Sequence, residues 1–247
     1  MLHLLTIGSG SKGNSTIIYN DDTTILIDCG VSKTKIIEGL NLISKKFKDI
    51  QYVFFTHNHI DHVKGFDFFD KKIKFACKGA MDLLNNNELE VFNTYYFGTI
   101  SLMPLLTSHD APNACGYKIS DKDNTIVYMT DTGFIPEISL KYMKNADIYF
   151  IESNHDISML LDSKRPNILK TRILSYKGHM SNEQSAEYLC NLVGPKTKEI
   201  ILGHLSEECN SLGVALNTYY DIFQENNISL EDIIVYPLRQ REFYKLW

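Results

Sequence analysis

Four metal-capable side chains fall within His57-Asn58-His59-Ile60-Asp61-His62, directly after the apolar run Tyr52-Val53-Phe54-Phe55 and one threonine. The run reads as a buried strand, and Val63-Lys64-Gly65 follow the motif. Imidazole and carboxylate are ligands for zinc, manganese or iron. A core has no use for so many polar groups packed together, because each one buried without a partner is costly. The chain must therefore fold so that a strand end gathers these groups around something that satisfies them. A metal ion is such a partner.

A length of 247 residues suits one large domain or two small ones. No stretch rich in Pro, Gly and Ser divides the chain and no repeat recurs in it, so residues 1–247 are expected to form a single domain. Hydrophobic content of 44% and charged content of 22% describe an ordinary soluble globular protein. No apolar run approaches the roughly 20 residues a membrane helix needs. Met1-Leu2-His3-Leu4-Leu5-Thr6-Ile7 lacks a basic segment and a small-residue cleavage site, and reads as a strand rather than a signal peptide. The five cysteines are scattered and form no CxxC pair, which points away from disulfides and towards a reducing cytoplasm. With a net charge of −5, any contact with a polyanion must be local. Two basic clusters are available for it: Lys164-Arg165 with Lys170, Arg172 and Lys177, and Arg239-Arg241 with Lys245.

Short β-branched and aromatic runs predict strands at Leu2–Ile7, Ser15–Tyr19, Thr24–Asp28, Tyr52–Phe55, Lys74–Ala76, Thr99–Leu105, Ala114–Ile119 and Thr125–Met129. Apolar periodicity predicts helices near Lys33–Ile43, Ala80–Asn85 and Ile138–Met143, and Asn85-Asn86-Asn87 marks a polar turn. Further on, Ser181-Asn182-Glu183-Gln184 has capping-box spacing ahead of the stripe Ala186, Leu189, Cys190 and Val193. Lys198–Leu202 reads as a strand, and Ser206 as the N-cap of a helix with Glu207 and Glu208 in its first turn. Closing strands are expected near Ile233–Tyr236 and Glu242–Leu246. Strands with helices spread between them suggest two inner sheets under outer helices.

Later candidates also sit at element ends. His109 follows the run Leu102–Leu106, Asp131 closes Ile126–Met129, His179 precedes the Ser181 helix, and His204 follows Ile200–Leu202. Loops at strand ends are where a rigid scaffold displays functional groups. Alone, His109 or His204 would read as structural; beside the first motif they read as ligands. His3 lies inside the first strand and reads as structural.

An HxHxDH run after a strand, followed at these distances by a His, an Asp and a final His, resembles the metallo-β-lactamase superfamily across residues 1 to about 205. The resemblance implies an α/β fold, a four-layer αββα sandwich with its site at one edge between the sheets. It implies His57, His59 and His109 on one divalent metal ion, Asp61, His62 and His204 on a second, and Asp131 bridging them. Zinc or manganese lead, and iron or nickel are also accepted by such ligands. Asp28, in Leu26-Ile27-Asp28-Cys29-Gly30, corresponds to an early Asp that supports the ligand loop. Gly8-Ser9-Gly10-Ser11-Lys12-Gly13-Asn14-Ser15, Glu152-Ser153-Asn154-His155-Asp156 and Leu174–Asn182 resemble the bacterial YycJ-like group, which is associated with 5′-to-3′ exonuclease activity on DNA. From those segments Ser11, Asn14, Asn154, His155, Ser181 and Asn182 are expected to bind substrate. The stretch from Asp131 to His204 is too short for the insertion of ribonuclease J-type enzymes, and there is no exosite arm of the tRNase Z type.

The resemblance thus implies a two-metal phosphodiesterase acting on DNA through a metal-bridging hydroxide, with Asp61 and His179 as catalytic residues. Two divalent ions, two aspartates and a hydroxide leave such a centre at about +1, which attracts an anion even on an acidic protein. His179 lies just before the capped Ser181 helix, whose N-terminus could cradle a phosphate while His179 protonates a leaving oxygen. The glycine loop Gly8–Ser15 is either a second anion nest or a plain hairpin turn. PhnP-like phosphodiesterases are similar and carry an equivalent of His179, so a small-molecule cyclic phosphodiesterase is the alternative. A non-enzymatic regulatory module is disfavoured by the complete ligand set. The flavodiiron variant carries Glu at the position of His59, which counts against redox chemistry.

Overall fold

The computed structural model describes residues 1–81 and 86–246. In chain order the elements are β1 (His3–Gly8), β2 (Ser15–Tyr19), β3 (Thr24–Ile27), α1 (Lys33–Leu42), β4 (Tyr52–Phe55), α2 (Ile60–Val63), β5 (Lys74–Cys77), β6 (Asn87–Leu89), β7 (Tyr95–Phe97), β8 (Ile100–Leu106), β9 (Cys115–Ser120) and β10 (Thr125–Met129). They continue with α3 (Glu137–Met143), β11 (Ile148–Glu152), α4 (Ile157–Asp162), α5 (Asn167–Ile173), α6 (Asn182–Cys190), β12 (Glu199–Gly203), α7 (Leu212–Glu225), β13 (Ile234–Pro237) and β14 (Tyr244–Leu246). One sheet runs β14-β1-β2-β3-β4-β5-β6 and the other β13-β12-β11-β10-β9-β8-β7.

Side-chain alternation explains the layering. Along β10, Ile126 and Tyr128 join the core between the sheets, while Val127 and Met129 face the helical layer. Along β11, Ile148 and Phe150 point inward, and Tyr149 and Ile151 outward. The outward set packs with Ala186 and Leu189 of α6 and with Ala215, Tyr219 and Phe223 of α7. On the far side Ile36 and Leu40 of α1 pack onto the first sheet, with α1 against β1. A strand buried on both faces needs apolar residues at both parities, and this is the αββα sandwich.

Strand direction positions the site. β3, β4, β5 and β6 are mutually parallel, as are β10, β11, β12 and β13. β8 is antiparallel to β9, which is antiparallel to β10, so β8 runs with β10. The carboxyl ends of β3, β4, β8, β10, β11 and β12 therefore open towards one edge, the usual place for a site in such sheets.

The structure moves some expected boundaries. The last long helix begins at Leu212 with Ser211 as its N-cap, not at Ser206. Ser206 Oγ instead accepts from the Cys209 N–H in a turn, and Asn210 ties the segment down by donating to the Ser153 and Asn154 carbonyls. Buried Cys209 and Asn210 thus hold an irregular stretch where local propensity favours helix. β11 was not expected, because its fully buried sequence shows no alternation. β6 begins at Asn87, where a polar turn was expected. The helix expected at Ala80–Asn85 lies largely outside the described residues. None of the described helices is long and apolar enough to cross a membrane.

Candidate active site

His57, His109, Asp131 and His204 sit just past strand ends, His59 caps α2, Asp61 and His62 lie in its single turn, and their donor atoms converge. One donor atom each of His57, His59 and His109 lie within 4.8 Å of one another, as do those of Asp61, His62 and His204. Asp131 reaches both triples. Its carboxylate is 3.9 Å from His109 Nε2, 3.3 Å from His62 Nε2 and 3.4 Å from His204 Nε2. Donors about 2.1 Å from a tetrahedral ion stand about 3.4 Å apart, so these separations suit metal coordination.

The outer nitrogens explain the orientation. His62 Nδ1 donates to Asp28 Oδ2 at 2.8 Å, and His204 Nδ1 to Glu152 Oε1 at 2.9 Å. His109 Nδ1 faces the Gly178 carbonyl at 3.2 Å, and His57 Nδ1 faces Thr56 Oγ1 at 3.0 Å. Thr56 Oγ1 in turn donates to Asp28 Oδ2, and the Thr56 N–H to Asp28 Oδ1. With Nδ1 engaged, each ring turns its Nε2 inward, the arrangement that fixes metal-binding histidines, although His62 Nε2 also meets Asn14 Nδ2 at 2.8 Å and His109 Nε2 meets His59 Nδ1 at 3.3 Å. His57 Nε2, His204 Nε2 and Asp131 Oδ2 are buried without a hydrogen-bond partner. Such orphans are expensive unless something absent from the polypeptide binds them, so the residues fit a divalent cation.

Backbone strain marks the same places. Asp28, Asp131 and His204 all adopt left-handed conformations at φ 56°. Each follows a strand, and the turn aims its side chain inward at a cost of about 1–3 kcal/mol. Gly30 is required for another reason: a Cβ there would stand 1.6 Å from the Asp61 carbonyl oxygen. The Asp28–Gly30 segment, the glycine loop and α2 are stitched by Asn14 N–H to Asp61 O, Cys29 N–H to His62 O and Gly30 N–H to Asn14 O.

Charge is distributed accordingly. Burial alone would raise the Asp131 carboxyl, but the His204 and His62 charges hold it well below the usual range. For Glu152 burial is likewise outweighed by His179 and His204, which bring it to about 2. Burial opposes protonation of His204, yet Asp131 and Glu152 lift it to about 9. Burial and the charge of His62 push His57 well below its ordinary value. The cluster thus holds two buried anions that demand positive charge, whether carried by protons or by metal.

A family profile described as the beta-lactamase superfamily domain matches residues 23–204. The chain belongs to the metallo-β-lactamase superfamily. Within it, this YycJ-like protein is 34% identical over 219 residues to exodeoxyribonuclease WalJ of Streptococcus pneumoniae serotype 2, covering 83% of this chain and 81% of that one. It is 28% identical over 242 residues to exodeoxyribonuclease YycJ of Bacillus anthracis, covering 93% and 92% of the two chains. Among solved structures, the metallo-β-lactamase fold protein YhfI of Bacillus subtilis superposes with a TM-score of 0.68 at 15% identity, covering 99% of each chain. Membership makes this YycJ-like chain a metal-dependent hydrolase.

In this metallo-β-lactamase-fold protein the residues expected to bind substrate divide. Ser11 and Asn154 line a cleft of about 360 Å³ with His179 and His204. The other four are buried and otherwise engaged. Asn14 clamps the glycine loop, exchanging hydrogen bonds with Gly10 and lying 2.8 Å from His62 Nε2. Ser181 caps α6 in the expected box with Gln184. Asn182 bonds Ser153 and Asn210, and His155 pairs as a β-bridge with Ser181. The start of α6 therefore offers no open phosphate cradle: the Asn182 N–H is bonded to the His155 carbonyl, and both residues are buried. His179 instead reaches the cleft from the side, with Nδ1 donating to Glu152 Oε1 at 2.7 Å. The glycine loop is a hairpin turn whose Ser9, Gly10, Gly13 and Asn14 N–H groups are all spent inside the protein.

Glu152 is the residue that sequence reading missed as part of the site. Its signal was a carboxylate closing the apolar run Ile148–Ile151, which a buried strand end would carry only with partners. It holds His179 and His204, and accepts from the Thr132 N–H at 2.8 Å. Asp110 is a second such residue, 3.5 Å from both His59 Nε2 and His109 Nε2 and paired to Arg172.

Proposed function

We propose that the site binds two divalent cations, zinc or manganese foremost, and hydrolyses phosphodiester bonds of nucleic acid, digesting DNA from the 5′ end. His57, His59 and His109 would hold one cation, Asp61, His62 and His204 the other, with Asp131 between them. When bound, the pair polarises a phosphoryl group and lowers the pKa of a water that attacks it. The observation that carries the reading is the meeting of two donor triples on one carboxylate, beside a cleft that His179 and His204 line together with Lys12, Arg165 and Arg172.

Those three cations are paired to Glu207, Glu208 and Asp110 respectively. Exposed pairs of this kind are worth about 0–1 kcal/mol, so a backbone phosphate can replace a carboxylate at little cost. Glu152 Oε1 accepts from His179 Nδ1 at 2.7 Å, which leaves Nε2 to face the leaving oxygen as the proposed general acid. The curated relatives named as exodeoxyribonucleases support DNA as substrate.

The test is digestion of 5′- and 3′-labelled DNA and RNA by manganese-loaded protein. Stepwise loss of DNA from the 5′ end is expected. Turnover of a cyclic nucleotide or a lactone with no cleavage of either polymer would overturn the nuclease reading.

A further inference from the structure

Beside the metal cleft, on the other side of the glycine loop, lies a second cavity of about 330 Å³. Its charged lining consists of Lys12, Lys35, Lys64 and Arg241, without a single carboxylate. That is a concentrated positive patch on a chain of net charge −5. Among the described residues Lys35, Lys64 and Arg241 form no ion pair, whereas Lys12 is paired to Glu207. Lys35 Nζ donates to the Arg241 carbonyl at 3.4 Å, which draws the lysine towards the arginine backbone. Burial and the Arg241 charge hold the Lys35 ammonium below the ordinary lysine range, outweighing the opposite pull of Glu38.

The cavity is continuous with the site in its walls. Lys12 and Gln240 line both it and the metal cleft. Its floor includes Gly13 and Gly30, and between them Asn14 joins the Asp61 backbone. A group bound here sits one loop thickness from the donors. The amide of Gln240 is buried, with Nε2 donating to the Leu205 carbonyl and Oε1 lacking a partner.

We propose that this cavity is a phosphate subsite that holds a backbone phosphate of the nucleic acid flanking the phosphodiester in the metal cleft. This rests on the nuclease reading above. Clustered lysine and arginine around a cavity that no carboxylate lines gain from a phosphate, because binding both neutralises their repulsion and releases counterions. The subsite makes the enzyme prefer a polymer over a small phosphodiester, since only a strand reaches both places at once.

The test is fluorescence anisotropy of a labelled phosphorothioate single strand binding to manganese-loaded protein over a series of salt concentrations. Arms carry either a 5′-phosphate or a 5′-hydroxyl. Lys35→Gln combined with Arg241→Gln is expected to weaken binding several-fold and to reduce the slope of log affinity against log salt by about 0.7 per lost contact. Loss confined to the phosphorylated arm assigns the cavity to a terminal phosphate, and loss in both arms to an internal one. Unchanged affinity and slope in a variant that melts like the parent would overturn the subsite while leaving the nuclease reading intact. Failure of the parent protein to bind or digest any strand would sink that reading itself.

Discussion

Glu152 Oε1 accepts hydrogen bonds from both His179 Nδ1 and His204 Nδ1, at 2.7 and 2.9 Å. One buried carboxylate oxygen thus sets the tautomer of a proposed metal ligand and of the proposed general acid. Glu152→Gln keeps the shape and one acceptor but removes the charge. The loss expected from outer partners of this kind is about 10–100-fold in metal affinity or activity. Steady-state kinetics together with a metal titration measures it, and an unchanged variant would separate Glu152 from function.

His179 is half-buried in the cleft, and no other proton donor is proposed there. His179→Ala should slow hydrolysis of DNA by about 10²–10⁴-fold through kcat, because its leaving alkoxide needs a proton. The loss should be much smaller for bis(p-nitrophenyl) phosphate, whose phenolate leaves without one. Metal content should stay at the parent level. Equal losses on both substrates would show that His179 positions rather than protonates.

The two ends of the site differ in how far the sequence exposed them. His57, His59, Asp61 and His62 stood out because they are adjacent and follow an obvious strand. His109, Asp131 and His204 were legible only as residues ending apolar runs, a weak signal that the first motif amplified. Glu152 escaped because its role depends on β11 lying between β10 and β12, and register between distant strands has no local signature. The burial of Asn14, His155, Ser181 and Asn182 was hidden for the same reason: polar loop residues read as exposed until tertiary contacts enclose them. Capping at Ser181 was readable because it is local chemistry, whereas Ser206 kept its capping bond but lost its helix to the anchoring of Asn210.

His155, which is not one of the proposed ligands, gives a pH prediction. It is buried, and burial lowers its pKa to about 4, so the fold holds it neutral. A histidine depressed in the folded state contributes fully above its unfolded pKa of about 6.5, and the contribution is lost as pH falls towards 4. The shift corresponds to at most about 3 kcal/mol. His155→Gln should therefore flatten the decline in stability between pH 6.5 and 4 relative to the parent. Urea melts of both proteins across that range provide the comparison, and parallel declines would refute it.

Metal removal should cost stability as well as activity, because His57 Nε2, His204 Nε2 and Asp131 Oδ2 have no hydrogen-bond partner among the described residues. A cation present at 100 times its dissociation constant adds about 2.7 kcal/mol to the folded state. For a chain of this size that is a shift of about 5–10 °C in Tm. EDTA should lower Tm by that amount, and manganese or zinc should restore it. Asp61→Ala removes one donor of the second triple and with it the in-line arrangement two cations would supply, so hydrolysis should vanish. Its Tm response to metal should shrink without disappearing, since His57, His59 and His109 remain. An active Asp61→Ala protein would refute the two-metal mechanism; a full loss of metal response would instead tie both sites into one cooperative unit through Asp131.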